Sequence, residues 1–309
     1  MTRPTTSVER LAEEYRALRD AAAVVDLTDW TVLGLTGPDS REFLQGTATQ
    51  EFESLPPPGT ATRTLFLTEK GRPVAHAWIL AGPEPTSAIL ISDPGARSSL
   101  KPHLERFRVM EDVEIQGPDG MARLFGLAGP ERDPLAQAIA AKIEGARAVR
   151  SEPLSFVLVP PQTSSSLLPP TVDPHAFEAW RIRTGIPYQG IDVDQDRIAT
   201  ELFLPEAISM TKGCYVGQEV VARTANRGKL RRQRIGFRFA WGGEPIPRGT
   251  EIRFGGKEAG TVTSTAWEPG TRAGLGMGYA MPEALASGLD LLAIQGEKST
   301  HLSPGSWPL

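Results

Sequence analysis

The sequence predicts an α+β protein of two or three compact units. At 309 residues the chain is too long for one ordinary hydrophobic core. Helix and strand patterns alternate up to about Leu230, and short apolar runs separated by Gly and Pro follow. Such runs are typical of a small β-barrel or sandwich. We therefore predict units at residues 1–120, 121–230 and 231–309, the last being the barrel.

An amphipathic helix is predicted near the N-terminal end. Thr6 and Glu9 have the spacing of a capping box, in which each side chain bonds a free backbone N–H of the first turn. The apolar positions that follow recur at helical spacing. They are Leu11, Tyr15, Leu18 and Ala22.

A strand followed by a helix is predicted twice. The first strand covers residues 30–36, and Gly37-Pro38-Asp39 then opens a helix that buries Phe43 and Leu44 and ends at Gly46. The stretch Gly129-Pro130-Glu131 repeats this arrangement after a second apolar strand. The repeat indicates two related units, or equally a common way of starting a helix.

A β-hairpin is predicted from two apolar runs joined by a short polar turn. The runs cover residues 64–68 and 74–80, with the turn at residues 69–72, and a further strand covers residues 88–92. The prolines and serines of residues 160–170 predict an exposed connector.

Composition excludes several classes of protein. The chain has 33 Lys and Arg against 37 Asp and Glu, a net charge of −4, which argues against a surface that binds nucleic acid throughout. Its single cysteine allows no intrachain disulfide. The sequence shows no apolar signal core and no apolar run long enough to span a bilayer. We expect a cytoplasmic protein without a membrane partner.

The one cysteine lies in the segment Lys212-Gly213-Cys214-Tyr215-Val216-Gly217-Gln218-Glu219. A neighbouring ammonium such as Lys212 favours the reactive thiolate, and the glycines let backbone approach a ligand closely. The alternative is an inert, buried cysteine. No His stands near Cys214 in sequence, and no metal-ligand pattern is present, so no metal site is predicted.

Basic residues follow this segment without an intervening acid. From Gln218 the pattern is helical, with Glu219 and Arg223 at i,i+4. The local positive field predicts binding of a carboxylate, a phosphate or RNA. The alternative is a solvated strand face, because Arg234 and Arg238 point opposite to the apolar set. The basic residues are Arg223, Arg227, Lys229, Arg231, Arg232, Arg234 and Arg238.

The cysteine segment followed by Arg223-Thr224 resembles the signature of the YgfZ-type folate-binding proteins. These are relatives of the glycine-cleavage T-protein, a tetrahydrofolate-dependent aminomethyltransferase. The resemblance extends over most of the chain. Its other segments are residues 35–46, residues 181–192 with Pro205-Glu206, residues 232–239 and residues 260–264.

The resemblance implies a three-domain ring around a central channel that binds tetrahydrofolate or a one-carbon derivative. It also implies a role in assembling, maintaining or repairing iron–sulfur clusters, linked to tRNA thiomodification, with iron–sulfur client or assembly proteins as partners. Residues 1–120 would then be the folate-binding unit, and Cys214 and Lys212 are the candidate catalytic residues. The candidate folate-binding residues are Tyr215, Gly217, Gln218, Glu219, Arg223, Arg181, Arg183 and Tyr188.

The sequence departs from the aminomethyl-transferring relatives at several positions. Those proteins carry an acidic pair in the hairpin, where this chain has Ala75-His76, and their Asn-Asp is matched by Thr49-Gln50. Their Arg-x-Glu reads Arg181-Ile182-Arg183 here. Three functions stay open: a folate-binding accessory protein, an aminomethyltransferase with a substitute acid, and an RNA or protein adaptor.

Overall fold

The computed structural model describes residues 7–117, 122–227, 230–286 and 291–309. These residues form a mixed helix-and-sheet fold, as predicted. The α-helices are α1 (Val8–Asp20), α2 (Ser40–Thr47), α3 (Leu100–Phe107), α4 (Arg132–Ala140), α5 (Pro174–Thr184), α6 (Gln218–Arg227) and α7 (Pro282–Ala286). The strands are β1 (Ala23–Asp26), β2 (Thr31–Thr36), β3 (Ala61–Leu67), β4 (Pro73–Ala81), β5 (Ala88–Ser92), β6 (Glu114–Gln116), β7 (Arg123–Ala128), β8 (Arg147–Val149), β9 (Ser155–Val159), β10 (Gln233–Ala240), β11 (Glu251–Phe254), β12 (Lys257–Trp267), β13 (Ala273–Ala280), β14 (Leu291–Gln295) and β15 (Lys298–Gly305).

The first sheet has five antiparallel strands in the order β3-β4-β5-β2-β6. The predicted hairpin is confirmed as β3 and β4, whose register places Leu65 opposite His76 and Arg63 opposite Trp78. Helices α2 and α3 cover one face, and their apolar residues join those of the sheet in one buried cluster.

The second sheet has four strands in the order β1-β7-β9-β8. Strand β1 precedes residue 120, but it pairs with β7 from Ala23 opposite Ala128 to Asp26 opposite Phe125. Helix α4 packs on this sheet through Ala136 and Ile139. The chain thus contributes β1 to the second sheet before it forms the strands of the first sheet. The boundaries at residues 120 and 230 stay predictions.

The two Gly-Pro-acid turns have the same geometry. Gly37 has φ 123° and Gly129 has φ 103°, a region that favours glycine. A Cβ at Gly37 would lie 2.2 Å from Asp112 O, and one at Gly129 would lie 2.4 Å from Ala21 O. The repeated strand-helix arrangement is therefore confirmed, although α2 runs to Thr47 and not only to the predicted Gly46.

The predicted C-terminal β-barrel is confirmed. Six strands close in the order β10-β13-β12-β11-β14-β15. The aromatic rings of Phe237 and Phe239 lie against Gly276 and Gly274 of the neighbouring strand, where a Cβ would lie 2.2 Å from either ring. The alternating pattern that predicted strands here thus also sets the packing between them.

Helix α1 joins the second sheet and the barrel. Its predicted apolar residues Leu11, Tyr15 and Leu18 are buried, and the Tyr15 hydroxyl donates to Glu268 of the barrel unit at 3.0 Å. The N-cap is Ser7, whose side chain accepts from Arg10 N, while Thr6 of the predicted capping box lies outside the described residues. No helix of the described ranges is long and apolar enough to cross a membrane.

Candidate functional site

A cleft of about 550 Å³ lies where the first sheet, the segment before α6 and the barrel meet. Phe203 lies in its wall, half exposed, with the left-handed φ of 52° that bulky residues rarely adopt. Strain of this kind is concentrated at functional sites. The wall also includes the charged residues Arg63, Glu206 and Arg234 and the aromatic residue Trp307.

Arg63 is the cation of the first sheet that faces this cleft. Its Nε donates to His76 Nε2 at 3.1 Å, its Nη1 pairs with Glu206, and its guanidinium lies 5.5 Å from the Trp78 ring centre. Only 10% of the side chain is exposed, yet Nη2 has no hydrogen-bond partner. A buried N–H of this kind costs stability unless a ligand or water accepts its bond.

His76 occupies the hairpin position where the aminomethyl-transferring relatives are expected to carry an acid. It is fully buried, and burial, together with the guanidiniums of Arg63 and Arg234, holds its pKa well below the usual range. The imidazole is therefore neutral. Because Nε2 accepts from Arg63, the ring proton is assigned to Nδ1, which has no partner. The hairpin thus supplies a neutral donor in place of a carboxylate.

Arg234 closes the cleft from the barrel side. Its Nε donates to Leu202 O at 2.7 Å and its Nη1 to Gly185 O at 2.8 Å, while its guanidinium stacks 4.2 Å from the Trp307 ring centre. Burial lowers its pKa to about 10, which leaves it charged at neutral pH. The alternative prediction of a solvated face is wrong for this residue, because these contacts turn Arg234 inward.

Other arginines of the predicted basic strip form separate ion pairs. Arg238 pairs with the buried Glu268, and Arg232 donates to Glu258 at 2.7 Å. Lys229 and the side chain of Arg227 lie outside the described residues. The described arginines of the strip therefore do not form one continuous free surface for a polyanion.

Arg181 lies at the centre of a buried polar network between α5 and the barrel. Its guanidinium contacts Glu178 at 2.5 Å and Asp192 at 2.7 Å, donates to Ser264 Oγ at 3.1 Å and lies 4.2 Å from the Tyr188 ring centre. The side chains of Arg181 and Asp192 are inaccessible to solvent. This network fixes the central segment on the barrel, since breaking a buried ion pair is costly.

The other predicted residues of the central segment lie beside this network. Arg183 pairs with Glu268 at 3.4 Å, the same carboxylate that accepts from Tyr15. Tyr188 lines a separate cavity of about 780 Å³, with Trp30 and Phe177 among its other walls. Carboxylates of the protein thus bind Arg181 and Arg183. Of these three predicted residues, only Tyr188 lines one of the described cavities.

Lys212 is buried against the loop that follows α2. Its ammonium donates to the carbonyls of Gln45 at 2.7 Å, Ala48 at 2.8 Å and Gln50 at 2.8 Å, and lies 5.2 Å from the Tyr215 ring centre. Burial lowers its pKa to about 8, opposed by the carboxylate of Glu51. All three N–H donors are used, so Lys212 fastens the cysteine segment to the first unit.

Cys214 is exposed, so the alternative prediction of a buried thiol is wrong. Tyr215, next to it, is buried in a cluster with Leu65 and Leu67 of β3. Gly217 has φ 84°, and a Cβ there would lie 2.6 Å from Thr68 O in the hairpin. The close backbone contact expected at Gly217 is therefore with the protein's own hairpin. This contact holds the cysteine segment in place, with Cys214 at the surface.

The predicted helix after Gly217 is confirmed as α6. Glu219 and Arg223 form the expected i,i+4 pair at 3.9 Å, and both side chains face solvent, 89% and 51% exposed. Gln218 begins the helix and its N–H donates to Tyr215 O at 3.2 Å. As folate ligands, these three residues stay predictions.

The structure therefore separates the predicted residues into two groups, one around Cys214 and one around Arg181. No hydrogen bond, ion pair or ring contact between described residues joins the groups. Sequence reasoning missed Arg63 and Trp307. The register of the hairpin could have pointed to Arg63. It lies opposite Trp78 and diagonal to His76, so all three side chains lie on the same face of the β3-β4 strand pair.

Metal ligands are not clustered in the part of the chain that the structure describes. No group of three or more His, Cys, Asp or Glu side chains there is arranged to hold a metal ion. The cleft offers instead aromatic rings, guanidiniums and one carboxylate. That set of groups is suited to an organic ligand that carries both hydrogen-bond donors and anionic groups.

Comparison with known proteins identifies the class. Residues 3–159 match the family model described as the GCVT N-terminal domain. The glycine cleavage system aminomethyltransferase T of Bartonella henselae has the same fold, with a TM-score of 0.81 over 96% of this chain and 89% of that protein, at 18% identity. The chain belongs to the GCVT N-terminal domain family.

Two relatives narrow the class further. The tRNA-modifying protein YgfZ of Pectobacterium atrosepticum is 28% identical over 69% of this chain and 69% of its own length. The human mitochondrial iron–sulfur cluster assembly factor IBA57 is 26% identical over 70% of this chain and 65% of its own length. These similarities place the chain among the YgfZ-type members of the T-protein superfamily, as the resemblance predicted.

Proposed function

We propose that this protein binds tetrahydrofolate, or a one-carbon derivative of it, and assists iron–sulfur cluster assembly, maintenance or repair, with an effect on tRNA thiomodification. Relatives whose names state cluster assembly and tRNA modification support the role. The observation that carries the folate part is Arg63, a nearly buried guanidinium with one free donor in the wall of a cleft of about 550 Å³.

The groups in the cleft fit a folate. Phe203 and Trp307 offer aromatic surface to a fused ring. Arg63 and Arg234 offer guanidiniums to the glutamyl carboxylates. The cavity volume lies within the range of about 300–1,000 Å³ usual for small-molecule sites.

The hairpin distinguishes an accessory role from aminomethyl transfer. A bound folate supplies a carrier for one-carbon units. Positive charge that develops on a folate nitrogen requires a nearby negative group for stabilisation. Ala75 and the neutral His76 provide none at this position. The missing hairpin acid therefore favours an accessory role over aminomethyl transfer.

Cys214 is the group that we propose acts on the client. Its thiol is exposed, and Lys212 and Gly217 fix the segment that carries it. In this proposal the thiol meets a cluster or a damaged site of another protein, and Lys212 positions the segment through its three carbonyl contacts. Folate binding and client contact are then separable functions of two regions of the chain.

The test is genetic rescue in a bacterium that lacks its YgfZ-type protein. We expect the wild-type chain to restore the activity of an iron–sulfur enzyme and Arg63→Met to restore little, because the variant loses the guanidinium in the cleft. Arg272→Ala, at an exposed position outside the described cavities, is the matched control and should rescue fully. Rescue by Arg63→Met at the level of this control contradicts the proposal.

Aminomethyl transfer is a second candidate because of Glu206. Its carboxylate lines the cleft and is 46% exposed, so it is a candidate for the substitute acid. The protein would be mixed with the other glycine-cleavage components, glycine and tetrahydrofolate, and methylenetetrahydrofolate measured. Formation that Glu206→Gln abolishes supports this candidate. No product from the wild type removes it.

A further inference from the structure

A second cavity of about 390 Å³ adjoins the cleft. Arg63 and Glu206 line both cavities, so their ion pair stands between them. The walls of the second cavity are β3, the start of α4 and the residues around Arg150. The two cavities are therefore neighbours that share this ion pair as a common wall.

Three polar groups of the second cavity have no partner. Arg63 Nη2 is buried without a hydrogen bond, and only 10% of the Arg63 side chain is exposed. Ser151 Oγ is also buried and unbonded. The Arg150 guanidinium makes no hydrogen bond or ion pair with any described residue. The two guanidiniums and the hydroxyl belong to residues that line one cavity.

The acidic residues of this cavity are already engaged. Glu206 pairs with Arg63, Glu152 pairs with Arg132, and Asp133 accepts from Ser155 Oγ at 2.6 Å. Helix α4 has nine residues and begins at this cavity, and the positive end of its dipole favours an anion. Arg150 is therefore left without a counter-charge beside two unbonded donors.

We propose that the second cavity binds an oxyanion group, a carboxylate or a phosphate, at the far end of the ligand that occupies the cleft. A guanidinium bonds such a group through two N–H donors, and a serine hydroxyl adds a third bond. The inference rests on the proposed function for the identity of that ligand. For a folate, the group is a carboxylate of an extended γ-glutamyl chain.

The experiment compares the monoglutamate and triglutamate forms of tetrahydrofolate by titration calorimetry. We expect the triglutamate to bind the wild type about tenfold or more tightly, the effect of one charge-assisted interaction. Arg150→Ala should remove most of this gain and leave the monoglutamate affinity unchanged. Arg150→Lys should keep part of it, and Arg272→Ala should keep all of it. The Arg150 side chain has no described partner, so folding should not depend on it.

The outcomes separate this inference from the proposed function. Equal affinities of the two forms, or an Arg150→Ala variant that matches Arg272→Ala, overturn the oxyanion site while folate binding stands. If neither form binds, the folate proposal fails, and inorganic phosphate becomes the probe. Phosphate binding that Arg150→Ala removes then supports an oxyanion site on its own, and no phosphate binding overturns it.

Discussion

Four basic side chains are buried where the units meet, and each is held in a different way. Carboxylates hold Arg181, carbonyl groups and an indole ring hold Arg234, and three carbonyls hold Lys212. Arg63 alone among the four keeps a buried donor without a partner. Since an unpaired buried N–H costs about 1–3 kcal/mol, Arg63 is where an external acceptor gains most.

At the residue scale, replacing Cys214 should separate the two activities. Cys214→Ala is expected to abolish rescue of iron–sulfur enzyme activity while leaving tetrahydrofolate affinity and unfolding temperature unchanged. The reason is that the thiol is exposed and lines none of the described cavities. Full rescue by Cys214→Ala would remove the proposed role of the thiol.

His76 gives a prediction for the pH dependence of stability. Its folded-state pKa lies well below the unfolded value, so the unfolded chain binds a proton below about pH 6.5 that the folded chain does not. Stability from this residue is complete above that pH and is lost progressively as the pH falls below it.

The measurement is urea unfolding of the wild type and of His76→Gln between pH 7.5 and pH 5. Other groups, including the buried His103, contribute to acid unfolding in both proteins. The unfolding free energy of the wild type should therefore fall by more than that of His76→Gln across the range. An unchanged difference would show that His76 titrates normally.

At the element scale, local signals predicted much of the fold. Gly37 and Gly129 open their helices as expected, and the hairpin and the barrel strands follow their alternation of apolar residues. The site was less predictable, because its contacts join distant parts of the chain. Lys212 bonds carbonyls 162 to 167 positions away, and Arg234 bonds Leu202 and Gly185. No short-range pattern encodes such pairs.

The two glycines of the cysteine segment provide a matched test of how α6 is seated. Gly217→Ala should destabilise the protein by about 1–3 kcal/mol, because φ is positive and the new Cβ meets Thr68 O. Gly213→Ala should have little effect, since nothing lies within 4 Å of its Cβ position. Urea unfolding measures both. Equal losses would contradict the close packing of Gly217 on the hairpin.

At the scale of the whole molecule, the cleft exists because three units meet. Arg63 comes from the first sheet, Phe203 and Glu206 from the segment before α6, and Arg234 and Trp307 from the barrel side. Trp307 Nε1 donates to Ile182 O at 3.2 Å, so the barrel side is also tied to α5. A ligand in the cleft would contact the first sheet, the segment before α6 and the barrel side. Binding of the ligand should therefore stabilise the arrangement of these three parts.

Titration calorimetry with the monoglutamate form of tetrahydrofolate tests the central claim most directly. Wild type and Arg272→Ala should bind with equal affinity, and Arg63→Met, measured below the temperature at which it begins to unfold, should bind about tenfold or more weakly. Absence of binding to the wild type, or undiminished affinity of Arg63→Met, would contradict the assignment of the cleft as a folate site.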